Sequence, residues 1–412
     1  MPFFESNRID ASRSGKVALL FLLYFSQGLP FGFQVTALPV YLRVYGVSLT
    51  TIGFVGLLAL PWGLKALWAP LVDRFGRRKS WIIPLQFFLS LTVLCASTLS
   101  PEDDLHLMLA AVFLMNLFAA TQDIAVDGLA VDILGPQDLG PGNAAQVVGY
   151  KAGMLASGGL LVWLSSHLGW NGYFTVMAAL AILPAIGIGM YREPGLENRR
   201  LSGARDIAGI VNRIGRSLAS SQSLWLLAFI ASYKFGELMN DVMFKPFLVD
   251  AGFSPSEIGL WVGTYGMAAS LAGSLAGGWL AVRRSLWQAL AITATLRIIP
   301  LGLEWWLSIS HLTTASVIGV TVAEHFFGGM LTTAVFAFMM SRVDRQIGAT
   351  HYTFLATVEV FGKSPGAWIS GPIAEAFGYP AVFAVGTLLS LPPLVLLLKI
   401  DRDPRPGHEM DA

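Results

Sequence analysis

Residues Ala69-Pro-Leu-Val-Asp-Arg-Phe-Gly-Arg-Arg-Lys-Ser-Trp81 form a short basic turn wedged between two long apolar runs. Arg74, Arg77, Arg78 and Lys79 cannot cross a bilayer cheaply, so a turn this basic belongs on the cytoplasmic side of a membrane, and Asp73 offers a carboxylate to neighbouring helix ends. A nucleic-acid-binding patch is the competing reading of a basic cluster. The lipid-length apolar run on each side argues against it.

The whole chain agrees with that turn. Hydrophobic residues make up 54% of the sequence and charged residues 13%, against about 25% charged in soluble domains. Such a balance describes a multi-pass, all-α integral membrane protein. The polar stretch Met1 to Lys16 leads into an apolar run too long for a signal peptide, which predicts that the first span is retained. Cys95, the single cysteine, falls within a span and supports neither a disulfide framework nor a thiolate metal site.

Crossing the hydrocarbon takes about 20 apolar residues, and twelve runs qualify: 17–44, 52–72, 81–99, 106–134, 144–166, 172–191, 224–248, 258–282, 286–309, 312–340, 349–377 and 381–400. An even number puts both termini on one side. Arg8, Arg13 and Lys16 at the start, Lys399, Arg402 and Arg405 at the end, and the arginines of the even-numbered loops make that side cytoplasmic. The opposite side offers Arg43 among Glu102, Asp103 and Asp104.

The expected organisation is a cytoplasmic N-terminus (1–16), a six-helix bundle (17–191), a cytoplasmic linker (192–223), a second six-helix bundle (224–400) and a cytoplasmic tail (401–412). Within the linker, Ile207, Ile210, Val211, Ile214 and Leu218 recur at helical spacing beside Arg205, Arg213 and Arg216, the pattern of a helix lying on a membrane surface. A regulatory docking site is the alternative. Gly46-Val-Ser-Leu-Thr-Thr-Ile-Gly53 matches Gly252-Phe-Ser-Pro-Ser-Glu-Ile-Gly259, and Gly169-Trp-Asn-Gly-Tyr-Phe174 is echoed by Gly378-Tyr-Pro-Ala-Val-Phe383. Their separations, 206 and 209 residues, are nearly constant, which reads as two six-helix pseudo-repeats with a substrate site at their interface.

Charges inside spans are costly unless they meet a counter-charge or a water-filled cavity. The cations are Lys65, Lys151, Lys234, Lys245, Arg297 and Lys363. The acids are Asp123, Asp127, Asp132, Glu237, Asp241, Glu304, Glu324 and Glu359. Lys234, Glu237, Asp241 and Lys245 recur at helical spacing with Asn240 beside them, either a cavity wall or a ladder of internal ion pairs. Asn116, Asp123 and Asp127 share a face of the fourth span, with Gln122 adjacent. Asp123 and Asp127 are candidates to carry a proton, as are Glu237, Asp241, Glu324 and the neighbouring His325. Lys65, between Trp62 and Trp68, and Lys151, after Tyr150, either pair with these acids or present positive charge to a ligand. Gln27, Gln34 and Tyr24 line the first span around a Gly28-Leu29-Pro30 break. The expected substrate-binding set is therefore Gln27, Gln34, Lys65, Lys151, Lys234 and Asn240. Asp73, Arg77 and Asp132 are expected to clasp the cytoplasmic helix ends, and Glu359 with Lys363 reads as a structural pair. No phosphate loop, metal-ligand spacing or nucleophile motif is present, so no cofactor, metal or catalytic residue is expected.

The pattern Leu71-x-Asp73-Arg74-x-Gly76-Arg77-Arg78 resembles the loop between the second and third helices of the major facilitator superfamily. With Gln27-Gly-Leu-Pro30, Lys65-x-x-Trp68-Ala-Pro-Leu-Val-Asp73 and Thr121-Gln-Asp-Ile-Ala-Val-Asp-Gly128 in order, the first half looks like the AmpG muropeptide permease and acetyl-coenzyme A transporter family. Gly328-Gly-Met-Leu-Thr-Thr-Ala334 is similar to the permease branch. Ala349-Thr-His-Tyr-Thr-Phe-Leu-Ala-Thr-Val-Glu-Val-Phe-Gly-Lys363 is similar to the orphan major facilitator domain-containing protein three branch. The resemblance implies a non-enzymatic secondary transporter, working by alternating access in the bacterial inner membrane. It would move a bulky anionic solute, anhydro-muropeptide or acetyl-coenzyme A, together with a proton. Expected partners are that solute, a proton and the lipid bilayer, with no nucleic acid, and the chain is expected to act as a monomer. The alternatives are an uncoupled facilitator of another organic anion, a membrane-embedded acyltransferase, for which His325 would be the one intramembrane histidine base, and a non-transporting scaffold or sensor.

Overall fold

The computed structural model describes residues 13–74, 77–134, 138–191, 221–342 and 348–401. The amphipathic helix expected in the linker lies outside these residues, as do the first twelve residues and the tail beyond Asp401. Every described segment of regular structure is helical, and each predicted span has a helical counterpart.

Segment α1 covers Arg13–Val44 and contains a π-helical turn at Phe33–Ala37. Segment α2 (49–74) is broken by two 3-10 stretches, Val55–Ala59 and Lys65–Leu67. Next come α3 (Arg78–Ala96), α4 (Leu105–Ile133), and α5 and α6, one helical run over 139–190 that reverses at Gly169. Segment α7 is two helices, Ser221–Ser232 and Phe235–Asp250, separated by a turn at Tyr233 and Lys234. The series closes with α8 (255–283, opening on a capped first turn and a π stretch), α9 (Leu286–Ile309), α10 (Thr314–Ser341), α11 (Gly348–Phe377) and α12 (379–397).

Among the described residues, seven helical stretches are long and apolar enough to cross a membrane, one of them the run holding α5 and α6. The predicted spans outside that set are α2, α7, α8 and α11. Breaks interrupt the first three and charges dilute the fourth, whose central turns hold Glu359 and Lys363. Irregular backbone and charge at membrane depth are tolerated where protein or a wet cavity surrounds them.

Among the described residues, four glycines adopt positive φ: Gly46 (73°), Gly169 (66°), Gly252 (91°) and Gly378 (80°). They are the anchor glycines of the two matched sequence pairs. Each sits at a reversal that a side-chain-bearing residue adopts only with strain, so the two halves turn the chain by the same device at corresponding points.

The chain forms two compact units, one of residues Met1–Ser48, Val55–Arg200 and Leu248–Thr264, the other of Leu49–Phe54, Leu201–Phe247 and Tyr265–Ala412. In the first, α1 lies on α5 through facing glycines. A Cβ on Gly28 would strike the Tyr150 carbonyl and the backbone of Gly153, and one on Gly153 would strike the Phe25 carbonyl. Close backbone approach through small residues is how membrane helices gain dispersion energy in a solvent as apolar as themselves. The apolar cluster around Leu19, Leu23, Val126 and Ile188 completes this packing. In the second unit α8 meets α10 in the same way, Gly273 lying against the Phe326 carbonyl and Gly329 against that of Ser270. Phe229, Leu290, Val335 and Phe338 belong to its buried core.

Candidate functional site

In the first unit the polar side chains converge on α4. The broken segment α2 delivers Lys65 to Asp123 as an ion pair, with Lys65 Nζ also 5.5 Å from the centre of the Trp62 ring. Both flanking indoles are tethered to α4, Trp62 Nε1 donating to Asn116 Oδ1 (3.0 Å) and Trp68 Nε1 to Thr121 Oγ1 (3.1 Å). One turn further along α4, Asp127 accepts from the Tyr24 hydroxyl of α1 at 2.7 Å. Asn116, Asp123 and Asp127 thus use one face, as the helical spacing requires. Lys65 settles on Asp123 through its own position on the short 3-10 turn.

Two polar groups of this unit lack partners among the described residues. Gln27 is 1% exposed, and neither its amide nitrogen nor its oxygen has a hydrogen-bond partner. An orphaned buried amide asks for water or ligand. Lys151 on α5 is partly exposed and has no ion-pair partner among the described residues. Gln34 reaches the Val55 carbonyl at 3.5 Å. Behind the site, Gln86 donates to Ser26 and accepts from Gln122, locking α1, α3 and α4 by side-chain amides.

The clasp differs from the expectation. Asp132 pairs with Arg78, at 3.3 Å, rather than with Arg77. Arg77 stands before the helix in an extended conformation and is exposed, whereas Arg78 opens α3 and is buried. Its guanidinium occupies the space a Cβ on Gly128 would fill, one turn from Asp132. Asp73 lies on the last turn of α2, and its side chain is outside the described set.

In the second unit the charged stripe of α7 is divided among several partners. Lys234 lies 3.7 Å from Glu359, which also binds Lys363 (2.9 Å) and the Tyr233 hydroxyl (3.3 Å). Glu237 takes Arg297 Nε at 3.1 Å, and the Arg297 guanidinium grips Glu324 as well. His325 Nδ1 sits against Glu324 Oε2. Asp241 pairs with Lys245 along the helix, and Asn240 donates to Glu304 at 2.9 Å. Every charged member of the stripe therefore has an opposite charge beside it. Of the expected binding pair here, Lys234 is occupied by Glu359 and Asn240 is fully buried. Arg297 and Glu304, which spacing alone singled out only as buried charges, are central to the network; their fully apolar surroundings on α9 were the available signal.

At the end of α1 away from the basic turn, Arg43 and Asp250 form a two-point ion pair at 2.6 Å within the first unit. No group of three or more His, Cys, Asp or Glu with the geometry for a metal ion occurs among the described residues.

The profile of the Major Facilitator Superfamily matches residues 20–367. The anhydromuropeptide permease of Escherichia coli (strain K12) is 32% identical over 397 residues, covering 92% of this chain and 79% of the permease. Among solved structures, a bacterial homologue of the human lysosomal transporter Spinster aligns with a TM-score of 0.69 at 18% identity, covering 94% of this chain and 95% of its own. The nucleoside transporter NupG aligns with a TM-score of 0.68 at 13% identity, covering 93% of this chain and 98% of its own. The two structures agree on the fold. The helical segments, the paired glycine turns and these likenesses make the chain a membrane transporter of the Major Facilitator Superfamily, belonging to its AmpG-like permeases.

Proposed function

We propose that this permease imports anhydro-muropeptides, bulky anionic sugar-peptides, across the bacterial inner membrane. It would do so by alternating access, as a monomer with both termini cytoplasmic and with proton symport as the driving force. The observation that carries the reading is the Lys65–Asp123 pair framed by two tethered indoles, with Gln27 and Lys151 of the same unit lacking partners among the described residues. A substrate carboxylate and Asp123 compete for the same ammonium. Protonating Asp123 releases Lys65 to the substrate, so proton and anion bind together, the thermodynamic requirement of symport. Trp62 and Trp68 give the sugar ring an apolar face, Gln27 supplies an amide for its hydroxyls, and Lys151 meets a second carboxylate. The name of the Escherichia coli relative supports the solute class.

The test is uptake into proteoliposomes of labelled anhydro-muropeptide and acetyl-coenzyme A, side by side, with and without an inward proton gradient. Gradient-dependent accumulation of the muropeptide is expected. Asp123→Asn is expected to bind it with an affinity that no longer varies with pH and to lose accumulation. Accumulation of acetyl-coenzyme A alone would replace the solute. Equal uptake with and without the gradient, in parent and variant alike, would make the protein an uncoupled facilitator.

A further inference from the structure

Glu304, a membrane carboxyl of the second unit, pairs with no cation among the described residues. It is 1% exposed, and its one hydrogen bond comes from the neutral amide of Asn240. Arg297, on the same helix, spends its guanidinium on Glu237 and Glu324 and stands seven residues away, about 10 Å by helical rise. Lys245 is taken by Asp241, and Lys234 and Lys363 by Glu359. The charged groups acting on Glu304 are Arg297 on its own helix, Glu324 on α10 and Asp241 on α7; His325 bonds Glu324 from the next position. An ionised Glu304 would add a third negative charge beside Glu324 and Asp241, with one amide hydrogen to hold it, at a cost of several kcal/mol.

A second observation concerns its partner. Asn240 Oδ1 is buried with no hydrogen-bond donor. It lies against Gly386, where a Cβ would collide with it, so the fold makes room for this amide. A primary amide and a carboxylic acid are complementary: the acid carbonyl accepts from the amide nitrogen, and the acid O–H donates to the amide oxygen. The protonated acid can supply the hydrogen that Asn240 Oδ1 lacks, whereas the carboxylate has none to give.

We propose that Glu304 is a proton-binding site, closed by Asn240 as an acid–amide pair, distinct from the Lys65–Asp123 pair of the first unit. The ligand is a proton delivered by hydronium: an O–H bond forms at a Glu304 oxygen as one in hydronium breaks, leaving water and an uncharged carboxylic acid. Loss of that proton leaves an unpaired anion that is relieved only by moving toward Arg297 or toward water, so Glu304 ties a proton to a rearrangement of α7 against α9. The proposal deepens the symport reading and rests on it for its role in transport, though not for the protonation itself.

Infrared difference spectroscopy of the purified protein in lipid tests the protonation. A protonated carboxyl carbonyl band, shifted in deuterium oxide, is expected in the parent and absent from Glu304→Gln, whose amide still pairs with Asn240. An unchanged band in that variant, or no band in the parent, overturns the proposal. Asn240→Leu removes the paired amide and is expected to move the band to the position of an unbonded acid; a band that stays in place also overturns it. Uptake then tests the role: Glu304→Gln is expected to lose gradient-driven accumulation down to the level of protein-free vesicles. Failure of the parent to respond to a proton gradient would sink the symport reading instead, while the infrared band would still decide Glu304. A response to sodium in place of protons, with no carboxyl band, would assign the site to a metal cation and reject the proposal.

Discussion

At the scale of single residues, one register step separates a positioning residue from a bystander. Arg77 and Arg78 are chemically identical and adjacent, yet only Arg78 lies within a helix, packed over Gly128 and reaching Asp132. Breaking a charge-assisted contact of this kind costs roughly 1.5–3 kcal/mol, toward the lower end here because the Asp132 side chain is 35% exposed. Arg78→Ala is therefore expected to lower the thermal unfolding temperature in detergent and slow uptake, whereas Arg77→Ala stays within about 0.5 kcal/mol of the parent, as surface substitutions do. Equal loss in both variants would show that the basic turn acts through summed charge. The residue types at this turn were legible from the sequence. Which arginine is buried depends on where α3 begins, and helix ends are the least legible feature of a chain.

At the scale of elements, α7 carries the clearest lesson. Its charges fall on one stripe by helical arithmetic, which left a cavity wall and an ion-pair ladder both open. The structure gives Lys234, Glu237 and Asn240 partners on α9 and α11, while Asp241, paired along its own helix to Lys245, keeps 30% of its side chain exposed. The stripe is thus mostly an interhelical lock with one exposed position. In a Cys95→Ser background, a cysteine replacing Asp241 is expected to react with small water-soluble thiol reagents and one replacing Asn240 to stay inert. Measured labelling rates of the same size at both positions would restore the cavity wall. Helical periodicity identifies a shared face, but partners come from other helices, whose rotation no single-helix pattern encodes.

At the scale of the whole molecule, the repeat was written in glycines. Two sequence matches at nearly constant separation marked Gly46, Gly252, Gly169 and Gly378, and all four take the left-handed conformation at chain reversals. The orientation expected from the charge distribution of the twelve segments has a direct measurement. A cysteine at Asp103 is expected to react with a membrane-impermeant maleimide in intact cells, and one at Ser202 in the linker only after permeabilisation; the reverse pattern would invert the topology. The number of spans, the six-plus-six repeat, the family and the identity of nearly every intramembrane charge were determined by the sequence itself, because apolar length, glycine turns and the high cost of charge in lipid are local properties. Tertiary structure decided what local properties cannot: that Lys65 meets Asp123, that Arg78 replaces Arg77 at Asp132, and that Arg297 is shared by two acids while Glu304 is left to an amide. The physical reason is that a buried charge must find its partner across a helix interface, and the register and rotation of that interface are set by packing over whole helices rather than by any short stretch of sequence.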